Sequence, residues 1–319
     1  MKKEIVLSAD LGGTNLRVAA VDRSGEILFR TKRNTPLTED AREIISLITD
    51  EAEECRRAVR SEGNIVGIGT VVPGTVSVDQ GMILQAPNVS ALNDFSIVSE
   101  IEKTLHLPCF LENDANAAAV GESWCGASKA VKNSICVTLG TGVGGGIIID
   151  GKILRGIDGT AGEIGHICVE PFGVPCGCGS RGCVEQYSSA SAVKRLAFAL
   201  SEDFPESQLV TDRTPTALEI YQAGKNGDAL AIEVFRQQGF YLGIALAGLI
   251  NVLNPETIVI GGGAADGWDL FLPLMQAEIK SRSYREPGRR AKIVRAELGD
   301  DAGILGAARL AFENISTVR

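Results

Sequence analysis

Apolar residues open the chain in short runs. Three of them, residues 5–10, 16–22 and 27–32, are separated by Gly12-Gly13-Thr14 and by Arg23-Ser24-Gly25-Glu26. Strand-like runs punctuated by turn formers predict a three-stranded meander. A charged stretch with apolar residues at helical spacing, about 38–62, then predicts an amphipathic helix. A strand over 65–72, a helix near 95–105 and a strand over 109–112 follow, in the order βββαβα. The second half repeats this order loosely, with strands at 134–139 and 146–150, long helices, a strand at 257–260, a helix near 270–281, a strand at 292–297 and a last helix near 304–313. Two similar halves, each opening on strand, Gly-rich turn and strand, predict two lobes with a cleft between them.

Composition narrows the function classes. With 319 residues, 45% hydrophobic and 22% charged, the chain is of ordinary globular type and long enough for two domains. A net charge of -9 argues against a nucleic-acid or anionic-membrane surface and favours a small soluble substrate. The longest apolar stretch, near 240–253, stops before Pro255 and falls short of the roughly 20 residues a bilayer span needs. It predicts a buried helix. The first residues, Met1-Lys2-Lys3-Glu4, carry no export leader. The expectation is a cytoplasmic protein whose eight cysteines are reduced, so metal binding or burial accounts for them better than disulfides.

Candidate chemistry sits at the turns. In Asp10-Leu11-Gly12-Gly13-Thr14-Asn15 the glycines allow backbone N–H groups to approach an anion, and Thr14 adds a hydroxyl. Leu139-Gly140-Thr141-Gly142-Val143-Gly144-Gly145-Gly146 holds the matching place in the second half, so phosphates could lie between the two loops. Either loop alone reads as a tight hairpin turn, and it is the two at equivalent positions that point to phosphate. Gly261-Gly262-Gly263 ends a strand, where a nucleotide base or ribose could pack on the backbone, or where the chain simply turns into a helix. Glu112-Asn113-Asp114 lies where a strand gives way to a small-residue helix, a place for active-site groups and equally for a helix N-cap. His166 with Cys176, Cys178 and Cys183 forms a Cys₃His set, and the C-x-C-x₄-C spacing with interleaved glycines lets a short loop wrap a tetrahedral structural zinc. If one ring nitrogen of His166 ligates the metal, the other can bond a sugar hydroxyl. Cys55, Cys109, Cys125, Cys136 and Cys168 stand singly and read as unligated thiols.

The Asp-Leu-Gly-Gly-Thr opening, the Leu-Gly-Thr-Gly-x-Gly-Gly-Gly loop and the cysteine cluster together resemble the ROK family of sugar kinases and related repressors, most of all its bacterial glucokinases. The similarity runs over nearly the whole chain. It implies an α/β, two-lobed, actin-like (ribonuclease H-like) ATPase fold with ATP and Mg²⁺ in the cleft. A first lobe of residues 1–117 plus about 304–319, and a second of 118–303 carrying a zinc loop at 163–185, would follow. ATP would be held by Gly12, Gly13, Thr14, Thr141, Gly142, Gly261 and Gly262, and Asp10 would reach Mg²⁺ through water. The resemblance makes Asp114 the base for a sugar 6-hydroxyl and places Asn113 on neighbouring hydroxyls. It sets Glu163, His166 and Glu185 around the 1- and 2-hydroxyls and Gly74 and Asn88 at the sugar's border, although Asn88 could equally initiate a turn.

Two other classes compete with a hexose kinase. A sugar-binding repressor of the same family would carry an N-terminal helix-turn-helix, for which the early first strand leaves no room. A non-sugar ATPase of the same fold would lack the Glu163, His166 and Glu185 constellation. Among substrates glucose leads, ahead of an N-acetylhexosamine and fructose, and polyphosphate stands beside ATP as a donor. A homodimer or higher homo-oligomer is the expected assembly.

Overall fold

The computed structural model describes residues 3–210 and 213–318. The opening meander forms as expected: β1 (Lys3–Leu11), β2 (Asn15–Asp22) and β3 (Ile27–Asn34) pair antiparallel, with Val6 opposite Val21 and Val18 opposite Thr31. After α1 (Ala41–Ala58), β4 (Gly63–Val72) pairs parallel to β1. A small hairpin, β5 (Thr75–Ser77) and β6 (Met82–Gln85), precedes α2 (Ile97–Leu105), and β7 (Cys109–Asn113) joins β4 in parallel. The first sheet thus runs β3-β2-β1-β4-β7.

From β7 the chain enters α3 (Asp114–Trp124) and then β8 (Ser134–Leu139), β9 (Val143–Ile149) and β10 (Lys152–Ile153). Five helices follow: α4 (Glu185–Ser188), α5 (Ala190–Leu200), α6 (Ala217–Lys225), α7 (Ala229–Leu253) and, beyond β11 (Thr257–Gly261), α8 (Trp268–Arg282). The chain closes with α9 (Arg285–Arg290), β12 (Lys292–Arg295) and α10 (Ala302–Val318). The second sheet runs β10-β9-β8-β11-β12, the same order as the first. Strand β9 starts three residues before the expected 146. Its early part is Val143-Gly144-Gly145, and glycines carry no strand periodicity for a sequence reading to detect.

Two compact units result: residues 1–132, 146–162 and 297–319 in one, and 133–145 with 163–296 in the other. Unit 1 therefore takes in all of α3 and the hairpin 146–162. Its sheet is covered on both faces, as the buried run of residues 5–9 in β1 requires. Ile5, Leu7 and Ala9 join Ile44, Ile48 and Ile101 of α1 and α2 in one core, while Val6, Ala19 and Val21 meet Leu305, Ala308 and Phe312 of α10 in another. Helix α7 contains the long apolar stretch, with Leu242, Leu246 and Ile250 fully buried. Among the described residues no helix is long and apolar enough to cross a membrane.

Candidate active site

In unit 1 the first glycine turn, the 86–88 loop and the end of β7 are tied together. Gly12 N–H donates to Asn15 O at 2.8 Å, closing the β1–β2 turn, and Thr35 Oγ1 donates to Gly12 O at 2.7 Å. Gly13 faces Asn88: a Cβ on Gly13 would come within 2.9 Å of the Asn88 Cβ. Gly74 has φ +123, and its carbonyl accepts from Asn113 Nδ2 at 2.8 Å. Its positive φ is open to glycine and strained for other residues. Asn88 thus lies beside the first loop, and Gly74 beside Asn113.

Asn113 is the N-cap of α3. Its Oδ1 accepts from the N–H groups of Ala115 at 2.9 Å and Asn116 at 3.1 Å. Because Asn113 fills the cap, Asp114 becomes the first residue of the helix, with an exposed carboxylate at its positive end. Its Oδ1 accepts from Ala115 N–H at 2.8 Å. The alternative of Asp114 as the capping residue is thereby set aside.

Asp10 lies at the end of β1, 17% exposed, with Arg17 at 3.8 Å. Burial pushes its carboxyl up to about 6, Arg17 opposes that, and the negative charges of Asp114 and Asp300 add to it. Between the ordinary 3.8 and about 6, the folded chain keeps a proton that the unfolded chain has lost, so stability falls as pH rises through this window and the cost is complete above it. Asp10→Asn should therefore stabilise the fold at pH 7.5 by up to about 3 kcal/mol, read as a higher urea midpoint, and leave it unchanged well below pH 3.8.

The sequence reading passed over Glu112 as a site residue and Arg155 altogether. Glu112 is 1% exposed, and its carboxylate accepts from Arg155 Nε at 2.9 Å, Asn116 Nδ2 at 3.0 Å and Asn113 N–H at 3.1 Å. It braces the backbone on which Asp114 sits, and Arg155, forty-three residues away, supplies the counter-charge. No local pattern marks such a pair. Arg155→Leu leaves a buried carboxylate unpaired and should cost about 3 kcal/mol, the low end of the usual range. A pocket of about 450 Å³ lined by both residues gives water a route to the orphaned group. Adding Glu112→Gln should recover most of the loss in urea unfolding; a double variant as unstable as the single one would show that charge is not the cause.

In unit 2 the second glycine loop meets Glu185. Glu185 Oε2 accepts from Val143 N–H at 2.9 Å, just after Thr141-Gly142, and Ala190 N–H donates to Gly140 O at 2.8 Å. Gly262, at φ +86, packs on the end of β8, where a Cβ would lie 2.5 Å from Leu139 O. This glycine has a packing reason of its own and stands directly before the loop.

The 3₁₀ turn Ile164–His166 presents His166, whose Nε2 is 3.8 Å from Glu163 Oε2 and whose Nδ1 is 3.7 Å from Cys176 Sγ. Cys178 and Cys183 have their sulfurs 3.7 Å apart, and all four donor atoms lie within 4.8 Å of one another. For Zn–S bonds of about 2.3 Å, a tetrahedron has S···S edges of about 3.8 Å. The donor set fits that ion.

The ROK family model matches residues 6–314. The chain is similar to a glucokinase of Halalkalibacterium halodurans, 38% identical over 310 residues that make up 95% of this chain and 94% of the relative. It is also similar to a xylose repressor of Caldicellulosiruptor bescii, 32% identical over 316 residues, 97% of this chain and 78% of the repressor. The crystal structure of a ROK family glucokinase from Streptomyces griseus in complex with glucose and AMPPNP superposes with a TM-score of 0.80 at 34% identity, covering 97% of this chain and 99% of that one. With a family match over nearly its whole length and two sheets of like strand order, the chain has the actin-like ATPase fold and belongs to the ROK family.

Proposed function

We propose that this protein is an ATP-dependent glucose kinase, transferring the γ-phosphoryl group to the 6-hydroxyl. The observation that carries the reading is Asp114: an exposed carboxylate at a helix start, with Asn113 filling the cap and Glu112 anchored beneath, in a chain 38% identical to a glucokinase. Phosphoryl transfer depends on positioning and on charge stabilisation, with a carboxylate to orient the hydroxyl and accept its proton. Asp114 takes that role, and Asn113, Gly74 and Asn88 border the sugar.

Glu163 and Glu185 accept from the 1- and 2-hydroxyls, a task carboxylates suit, while His166, with Nδ1 turned toward the zinc set, donates from its Nε2–H to a hydroxyl oxygen. The turns at Gly12-Gly13-Thr14 and Thr141-Gly142 offer N–H groups to the phosphates, and Gly261-Gly262 borders the nucleoside. Asp10 would reach, through water, a Mg²⁺ ion bound with ATP, which would neutralise phosphate charge. His166, Cys176, Cys178 and Cys183 would hold a structural zinc, and ligation there would fix the His166 ring. Cytoplasmic location and homo-oligomeric assembly complete the proposal.

Purified protein with Mg-ATP and single hexoses tests it through ADP release. Release with glucose is the expected result. Release only with an N-acetylhexosamine or fructose reassigns the substrate, and release only with polyphosphate present reassigns the donor. The 32% identity to a xylose repressor supports a second reading, sugar binding without chemistry. Calorimetric sugar binding with no ADP release would select it.

A further inference from the structure

We infer that Cys168 and Cys183 form a two-electron oxidation site, a thiol pair whose conversion to a disulfide withdraws one ligand from the zinc set. The zinc half of this inference rests on the ligand assignment proposed above, while the pairing rests on backbone geometry alone.

Cys168 and Cys183 stand directly opposite each other in an isolated antiparallel bridge. Val169 N–H donates to Gly182 O at 2.8 Å, and Val184 N–H donates to Ile167 O at 2.9 Å. The ladder bonds therefore flank the two cysteines, which exchange none themselves. This is the non-hydrogen-bonded type of antiparallel pair, in which Cα atoms lie about 4.5 Å apart and the facing side chains are closest. Disulfides span Cα separations from about 4.4 Å, so a bond needs rotation about χ1 and no movement of backbone. The register is locked as well: Gly182, at φ +68, lies against Glu170 O, where a Cβ would come within 1.7 Å.

The two thiols differ in access. Cys183 is fully buried and belongs to the donor set, whereas Cys168 is exposed and stands outside it. A dissolved oxidant meets Cys168 first. Elsewhere Cys55 and Cys109 are buried, Cys55 against the Val18 carbonyl and Cys109 against the Thr70 hydroxyl, away from a dissolved oxidant. Hydrogen peroxide converts the Cys168 thiol to a sulfenic acid with loss of water. The Cys183 sulfur then attacks that sulfur, the S–S bond forms, the S–O bond breaks, and the oxygen leaves as a second water. Two thiols and one peroxide yield one disulfide and two waters; where Cys183 starts as a metal-bound thiolate, solvent supplies the last proton. His166, Cys176 and Cys178 remain, one ligand short of the closed tetrahedral set. A dithiol reverses the step.

The test uses the full chain as purified, its zinc content measured first. Limited hydrogen peroxide, alkylation of remaining thiols and peptide mapping should give a Cys168–Cys183 linked peptide, with zinc release followed by a chromogenic chelator and reversed by dithiothreitol and added zinc. Cys168→Ser should keep its zinc under the same exposure. Equal zinc release from Cys168→Ser, with bridges among Cys176, Cys178 and Cys183, overturns the inference. So does a wild-type chain that keeps zinc while Cys168 ends as a free sulfinic acid. If the protein purifies without zinc, the metal reading fails separately, and the linked peptide, present or absent, still decides the pair.

Discussion

Asp114→Asn should fold like the parent and turn over glucose roughly 10²–10⁴-fold more slowly, the usual worth of a general base. The substitution isolates proton acceptance. Asn113, not residue 114, supplies the cap of α3, so the helix start survives the change. The contact from Ala115 N–H to Asp114 Oδ1 can be kept by the amide oxygen of asparagine. Glu112 and Arg155 still anchor the strand end. The loss should thus appear in kcat, with the glucose KM within a few-fold and the urea midpoint unchanged. ADP release under saturating glucose measures it, and a near-parental kcat would remove Asp114 from the chemistry.

The parts of this site that a sequence reader could find are those specified locally. Gly12-Gly13-Thr14 between two apolar runs gives the meander, and Asn113-Asp114 before a run of alanines gives the strand-to-helix junction. The Cys₃His set is visible because three thiols and one of only two histidines crowd into eighteen residues. Long-range partners leave no such trace. Arg155 looks like any charged turn residue until the fold sets it on Glu112, and the bond from Val143 N–H to Glu185 joins residues forty-two apart. Helix ends show the intermediate case. The charged stretch 38–62 predicts α1, but Asp40 caps it late and the chain leaves it at Val59, because the charged residues flanking the helix continue its polar pattern without its buried face. Gly262 shows that one glycine can satisfy two readings, since Leu139 demands its missing side chain whether or not a nucleotide packs there.

Removing the metal should weaken glucose binding at least about tenfold, the worth of one good hydrogen bond, and lower Tm. His166 carries the argument. Its Nδ1 faces Cys176 Sγ at 3.7 Å, so ligation there fixes the ring and leaves Nε2 free to face outward, where Glu163 lies at 3.8 Å. Without the ion only the long contacts to Cys176 Sγ and Glu163 hold the ring, which is 36% exposed at its side chain. Damage should stay local. The loop backbone keeps bonds of its own, Cys176 N–H to Ser180 O at 2.8 Å and Gly182 N–H to Val174 O at 2.8 Å, and the helices of unit 2 bury a separate apolar interior. The chelated protein should therefore unfold at a lower temperature yet remain folded at 25 °C, unlike a zinc finger, whose whole fold depends on the ion. Calorimetric glucose titration and thermal unfolding, before chelation, after it and after zinc is restored, measure both effects. Asp114→Asn loaded with zinc separates binding from turnover, since it should bind glucose as the parent does. A metal-free protein with parental affinity, activity and Tm would refute the zinc reading and leave the four donors as a thiol cluster with no ligand.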